Sequence, residues 1–188
     1  MIKAINHERL EKISREVKIL QLLSGGPNII KLCDLIQKDE EDFLGEKTFS
    51  RCIVYDYLID SEQIDNQLYQ NINDFDARLY LYKILEALEF CHSKGIMHRD
   101  VKPKNIIINH KLKELRLIDY GLAEYYIPKT EYNVRVSTGP YKGPELLVKD
   151  KLYHYSLDIW SLGCVMFEMI FKGDLLFAAK DFDDIIIK

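Results

Sequence analysis

Apolar residues recur with a helical period near the start of the chain, where Leu10, Ile13, Val17, Leu20 and Leu23 fall on one stripe. Gly25-Gly26-Pro27 ends that stripe, so the spacing predicts a helix over residues 8–23. Short apolar or alternating segments at 30–36 and 51–57 suit a pair of strands. The stretch between them, 38–49, is acidic at Asp39, Glu40, Glu41 and Asp42 and reads as a solvated hairpin tip. Over 74–92 the series Leu81, Ile84, Leu85, Leu88 and Cys91 marks a packed amphipathic helix. Residues 156–171 are apolar on nearly all sides, with Trp160, Leu162, Val165, Met166, Met169 and Ile170, which predicts a buried central helix. Asp158 inside it is costly: it needs buried donors, or it sits at the positive end of the helix dipole, and both can hold. The order is a strand, a helix, a hairpin and then mostly helices, without repeats or a low-complexity linker.

Composition narrows the class. Of 188 residues, 47% are hydrophobic and 30% charged, as expected of a chain that buries a core. A net charge of −4 gives no general reason to expect nucleic acid or an anionic membrane as partner. No apolar run approaches the roughly 20 residues that span a bilayer, and no signal peptide precedes the first charged residues, so an intracellular protein is expected. Cys33, Cys52, Cys91 and Cys164 are widely spaced and read as reduced and mostly buried; with five scattered histidines they suggest no zinc site.

The chemistry concentrates in two short segments. Residues 98–105 read His-Arg-Asp-Val-Lys-Pro-Lys-Asn, and 14 positions after Asn105 comes Asp119-Tyr120-Gly121. These residue types belong together in phosphoryl transfer from ATP, where a protein contributes mainly positioning and charge stabilisation. Asp100 would accept the proton of an attacking hydroxyl, and Lys102 would neutralise charge on the transferred group. Asn105 and Asp119 would hold Mg2+ through oxygen, as hard cations prefer.

The stretch 95–103, Gly-Ile-Met-His-Arg-Asp-Val-Lys-Pro, resembles the protein kinase family and, within it, the catalytic subunit of casein kinase II. Segments 24–30, 115–119, 132–136 and 142–148 are similar to the same subunit, so the likeness runs over nearly the whole chain. Tyr120 stands where most kinases have Phe and this subfamily has Trp. The resemblance implies an α+β, bilobal kinase fold, incomplete at both ends. A partial N-terminal lobe at 1–57 would hold a small sheet and the αC helix, and a mainly helical partial C-terminal lobe would span 58–188. It implies a protein serine/threonine kinase using ATP and Mg2+; the alternative is a catalytically impaired fragment or pseudokinase-like binding module.

Further roles follow from the resemblance alone. Lys3 would contact the α and β phosphates with Glu16 as its ion-pair partner, although a lysine this near a chain terminus is commonly a solvated side chain. Tyr55 would be the gatekeeper, Asp56, Tyr57 and Leu58 the hinge against adenine, and Ile107 and Ile118 the floor; the same burial would suit ordinary core residues. Asp158 would accept hydrogen bonds from the catalytic loop backbone. Lys102 after the catalytic Asp is similar to Ser/Thr kinases rather than tyrosine kinases, and Thr138 lies in the segment that receives the acceptor residue. Arg135 and Lys142 would bind acidic substrates, but Gly139 replaces an arginine of the subfamily and Arg9-Leu10-Glu11-Lys12 replaces its lysine cluster, which weakens that preference. Thr130, Ser137 and Thr138 offer hydroxyls without an arginine pattern that marks a phosphorylation switch. No G-x-G-x-x-G occurs, and Glu145 lacks the C-terminal arginine that pairs with it in the family, so both ends read as truncated. The resemblance also implies a zinc-binding regulatory beta subunit as partner, and a cytoplasmic and nuclear location.

Overall fold

The computed structural model describes residues 2–5, 10–41, 47–59, 61–63 and 66–178. Strand β1 (Ile2–Ile5) is followed by helix α1 (Leu10–Leu22) and by the hairpin strands β2 (Leu32–Glu41) and β3 (Lys47–Tyr55). The three strands form one antiparallel sheet in the order β1-β3-β2. Ile53 of the central strand pairs with Lys3 on one side and Leu35 on the other, and its side chain is fully buried. Val17 and Leu20 of α1, and Leu23 in the turn just after it, are buried as the helical stripe predicts.

The acidic stretch expected to be a loop is largely strand. The ladder continues from Lys38 opposite Ser50 to Glu41 opposite Lys47, and only 42–46, with Asp42, lie outside the described residues. Once a hairpin is in register, each added pair satisfies backbone N–H and C=O groups whatever the side chains are. Periodicity sees only strands with a buried face, and Leu35 and Ile36 show that this hairpin is already exposed well before its tip. At the other boundary Ile30 is not part of the strand.

The remaining elements are β4 (Glu62–Gln63), α2 (Asn66–Asn71), α3 (Asp74–Ser93), β5 (Ile96–Met97), β6 (Ile106–Asn109), β7 (Glu114–Leu117), β8 (Glu124–Tyr125), α4 (Pro144–Leu147) and α5 (Ser156–Ile170). Strands β4, β6 and β7 make a second small sheet, and β5 pairs with β8. Ile29 bridges to Leu117 in parallel, and the Ile30 N–H donates to the Leu117 carbonyl, which fastens the turn after α1 to β7.

Helix α3 starts at an Asn73 cap whose side chain accepts the Asp76 N–H at 2.9 Å. It stops where Gly95 takes the left-handed backbone conformation that glycine adopts without penalty. Its buried face runs through Ala77, Tyr80, Ile84, Ala87, Leu88 and Cys91. Leu85, assigned to the stripe from spacing, lies on the flank and is 45% exposed.

Helix α5 departs further from expectation. Leu157, Leu162, Val165 and Met169 are buried, but so are Asp158, Ser161 and Glu168, whereas Ile159, Trp160, Met166 and Ile170 are exposed among the described residues. Specific partners reverse the hydropathy pattern. The Ser161 hydroxyl donates to the Tyr141 carbonyl, and Glu168 accepts the hydroxyls of both Tyr69 and Tyr141. Asp158 combines the two roles considered for it, standing in the first turn of the helix and accepting buried N–H donors.

One core cluster joins α1, β3, α3, β6, β7 and α5. A second, built from Met97, Tyr132, Val136, Leu146, Tyr153 and Leu157, joins the segment 119–145 to β5, α4 and α5. All four cysteines are free; Cys91 and Cys164 are buried, but Cys33 is exposed, against the expectation that most would be inside.

Candidate active site

The loop between β5 and β6 brings the first group of candidate residues together. Pro103 opens a single 3-10 turn, 103–105, closed by the Asn105 N–H donating to the Lys102 carbonyl. That turn aims Asn105 back at Asp100: its Nδ2 donates to the Asp100 carbonyl at 2.8 Å and to Oδ2 at 3.0 Å. Lys102 Nζ lies 2.7 Å from the same Oδ2. A hydroxyl completes the group, since Thr138 Oγ1 donates to Asp100 Oδ1 at 2.9 Å and receives Lys102 Nζ at 2.8 Å. Lys142 stands close enough to feel the charge of Asp100, which favours its protonated form, but burial outweighs that and lowers its pKa.

The backbone of the loop is held from below. Asp158, with no exposed surface, accepts the His98 N–H at 2.8 Å, the Arg99 N–H at 2.7 Å and His92 Nε2 at 2.8 Å. Arg99 has φ 66°, an uncommon conformation for a non-glycine residue that surrounding contacts must hold. Its guanidinium supplies them, donating to the Leu122 carbonyl at 2.7 Å and the Tyr153 hydroxyl at 3.0 Å and lying 3.6 Å from Glu124. His98 accepts the Asp100 N–H at Nδ1 and reaches the Ile118 carbonyl with Nε2 at 3.1 Å, an arrangement that assigns the proton to Nε2. Its ring meets Tyr120 edge-on at 4.8 Å.

Asp119 takes the left-handed conformation, φ 62° and ψ 73°, which Asp tolerates better than most residues. The preceding Ile118 N–H donates to the Asn105 carbonyl at 2.9 Å, so Asn105 and Asp119 lie on adjoining strands of chain. Burial, together with a weak Cys91 contact at 3.7 Å, pushes the Tyr120 hydroxyl well above its ordinary pKa. The same burial raises the Cys91 thiol to about 12.

A second group forms around the end of β3. The Tyr55 hydroxyl donates to Glu16 Oε1 at 2.8 Å, both residues being buried. Burial first, then the negative charges of Glu16 and Asp119, drive the Tyr55 pKa upward. Lys3 lies on β1 opposite Ile53, two residues before Tyr55, and its side chain falls outside the described residues. Asp56 is committed to the chain, its Oδ1 accepting the Lys31 N–H at 2.9 Å. Leu58 and Ile118 are buried, Ile107 is half-buried, and Tyr57 is exposed.

The two residues expected to meet acidic substrates have different surroundings. Lys142 belongs with Asp100, whereas the exposed Arg135 lines a cavity of about 560 Å³ that also contains Arg15, Arg99, Glu124 and Thr130. Three arginines beside a hydroxyl form an arrangement that the linear sequence hides. Glu124, which ion-pairs with Arg15 and approaches Arg99, carries no signal in the sequence: its Arg15 partner is 109 positions away, and no local pattern announces it. His92 is equally silent in the sequence, because a histidine near the end of an amphipathic helix has no distinguishing signal.

Asn105 and Asp119 offer one amide oxygen and one carboxylate. With the Asn105 Nδ2 engaged by Asp100, its Oδ1 is the end left to act as a ligand. Such a set suits Mg2+, which is usually held by one or two protein oxygens together with substrate phosphates. The family model described as the protein kinase domain matches residues 1–187. That family transfers phosphoryl groups from ATP with divalent metal to protein substrates, and its mixed helix and strand composition agrees with the elements above. With the match covering nearly the full 188 residues, the chain belongs to the protein kinase domain family.

Proposed function

We propose that the chain is a serine/threonine kinase of the casein kinase II type, with Asp100 as the group that takes the acceptor proton and Lys102 as the cation beside the transferred phosphoryl group. The observation that carries this reading is the Thr138 hydroxyl, bridged between Asp100 Oδ1 and Lys102 Nζ. An aliphatic hydroxyl already reaches the position where a carboxylate can accept its proton and an ammonium can offset charge on an incoming phosphate, which is the geometry general-base assistance needs. A substrate Ser or Thr that displaced Thr138 would find the same two partners.

The remaining roles support the same chemistry. Asn105 and Asp119 are assigned to the metal and Lys3 with Glu16 to the α and β phosphates. Tyr55, Asp56 and Leu58 are assigned to the adenine edge, and Ile107 and Ile118 to its floor. Bound Mg2+ would neutralise phosphate charge and fix the reacting phosphoryl group. Residues 1–57 and 58–188 are the corresponding lobes. The subfamily assignment rests on the segments 24–30, 95–103, 132–136 and 142–148.

The test is transfer from labelled Mg-ATP to a Ser-containing acidic peptide, a neutral Ser peptide and a Tyr peptide, with Asp100→Asn as background. Incorporation into the Ser peptides that disappears in Asp100→Asn supports the reading. A folded sample that labels none of them favours a non-catalytic binding module, and labelling of the Tyr peptide alone overturns the Ser/Thr assignment.

A further inference from the structure

The Tyr55 hydroxyl does something that an adenine-side position does not require. Tyr55 is the last residue of β3, and the chain leaves the sheet there under tight control: the Asp56 N–H donates to the Lys31 carbonyl, and Asp56 Oδ1 accepts the Lys31 N–H. From this fixed point the phenol donates to Glu16 in the middle of α1 at 2.8 Å, with 5% of each residue exposed.

The other inward residues of α1 are apolar. Val17, Ile19 and Leu20 fix how far the helix lies from the core, but dispersion contacts are not directional, so its rotation and slide rest on its polar contacts: the Arg15–Glu124 ion pair on the flank and Glu16 on the buried side. A hydrogen bond to a buried carboxylate is directional and about twice as strong as one between neutral groups. The backbone register puts position 3 opposite Ile53, and Ile53 and Tyr55 are two apart on β3, so these positions belong to one face of the sheet. The donor is permanent as well, because a phenol is protonated throughout the neutral range and burial only strengthens that.

We propose that Tyr55 is a positioning residue, whose hydroxyl holds Glu16 and thereby α1 in the orientation that the phosphate side of the nucleotide site requires. The proposal rests on the kinase reading above. It gives the phenol a task distinct from bordering adenine, one that phenylalanine, with the same ring and nearly the same volume, could not perform.

Tyr55→Phe is the variant, compared with Glu16→Gln and with the two combined. Amide hydrogen exchange reads the contact directly and needs neither nucleotide nor activity. Protection of Leu10–Leu22 should fall about tenfold in Tyr55→Phe while that of α3 stays unchanged, the size expected for losing one hydrogen bond to a charged group. Unchanged protection of α1 overturns the proposal. In transfer assays KM for Mg-ATP should rise about 5- to 20-fold with kcat within about twofold, and the double variant should be no worse than the worse single one, as for groups acting as a unit. Looser α1 with an unchanged KM, or additive effects, reduces the contact to a structural one and overturns the positioning role. Absence of transfer by the wild-type chain defeats the kinase reading itself. The dissociation constant for Mg-ATP then decides: weaker binding in Tyr55→Phe upholds the positioning of the nucleotide site, and equal binding, or none in either protein, overturns it.

Discussion

The carboxylate of Asp158 accepts the backbone N–H of Arg99 at 2.7 Å, tying the first turn of α5 to a loop residue held at φ 66°. The same side chain takes the His98 N–H, so two neighbouring amides of the loop share one buried acceptor. Asp158→Ala leaves both without it, at about 1–3 kcal/mol each, and releases a strained residue that the rest of the fold must over-determine. The expected loss is about 2–5 kcal/mol in urea-monitored unfolding, with Asp158→Asn less affected because one amide oxygen still accepts.

Asp100 differs in that its neighbours can accommodate an amide. In Asp100→Asn the retained oxygen can face Asn105 Nδ2 and Lys102 Nζ while the new Nδ2 donates to Thr138 Oγ1. The fold should keep its stability to within about 1 kcal/mol, whereas phosphate transfer should fall by roughly 10²- to 10⁴-fold, the usual contribution of a positioned general base. Thermal unfolding alongside labelled Mg-ATP transfer separates the two effects. A variant that loses activity and unfolds at room temperature would place Asp100 in the scaffold instead.

Glu168 is the acceptor on which two tyrosines converge. Tyr69 and Tyr141 come from distant segments, and both hydroxyls meet the buried carboxylate. Tyr69→Phe or Tyr141→Phe alone leaves Glu168 one donor and should cost about 1–3 kcal/mol. Together they strand a buried charge, so the double variant should lose more than the sum of the singles. Equal additivity in denaturant titrations would show that the carboxylate finds water instead.

These cases show what a linear reading could find. The segment 98–105 and Asp119 were legible because type and spacing are local, and the structure brings Asp100, Lys102 and Asn105 within hydrogen-bond reach of one another. The stripe of α1 was legible because its period reports a single buried face. Helix α5 reads as apolar on nearly all sides with Asp158 as the costly residue that needs donors, which it has; hydropathy cannot know that Ser161 and Glu168 also have partners inside while Trp160 and Met166 face outward. The far half of the long hairpin has no signature in the sequence because backbone pairing extends the ladder from Lys38 to Glu41 past the exposed Leu35 and Ile36. Glu124 and Tyr55 depend on partners in α1, and only the folded chain supplies those distances.

Stability should decline on the alkaline side in a way traceable to the buried thiols. Cys91 is raised to about 12 and Cys164 to about 11, in both cases chiefly by burial, from an ordinary 9.0. Because the folded state holds these protons more tightly, the stabilisation is fully present below the unfolded thiol pKa and is lost as pH rises through the folded values. The urea midpoint should therefore drop steadily above about pH 9. Cys91→Ala will be less stable throughout, from lost packing, but its pH slope between about 9 and 11 should be shallower. An unchanged slope would mean that the thiol does not titrate with unfolding.

Gly139 provides a test of substrate charge preference. A Cβ at this position meets nothing within 4 Å, and no left-handed backbone conformation is required, so a side chain fits without strain. Gly139 opens the 3-10 turn Gly139–Tyr141, directly after Thr138 and close in sequence to Lys142. If acidic peptides bind along this segment, Gly139→Arg adds a cation where they pass. An exposed charge pair contributes about 0.2–1 kcal/mol, so KM for an acidic Ser peptide should fall about 1.5- to 5-fold, with no change for a neutral peptide. The gain should shrink at high ionic strength, because screening shortens the reach of exposed charges. Equal improvement for both peptides would point to repositioning of the Thr138 segment rather than to charge recognition, and no improvement would place the acidic residues of the substrate elsewhere on the protein.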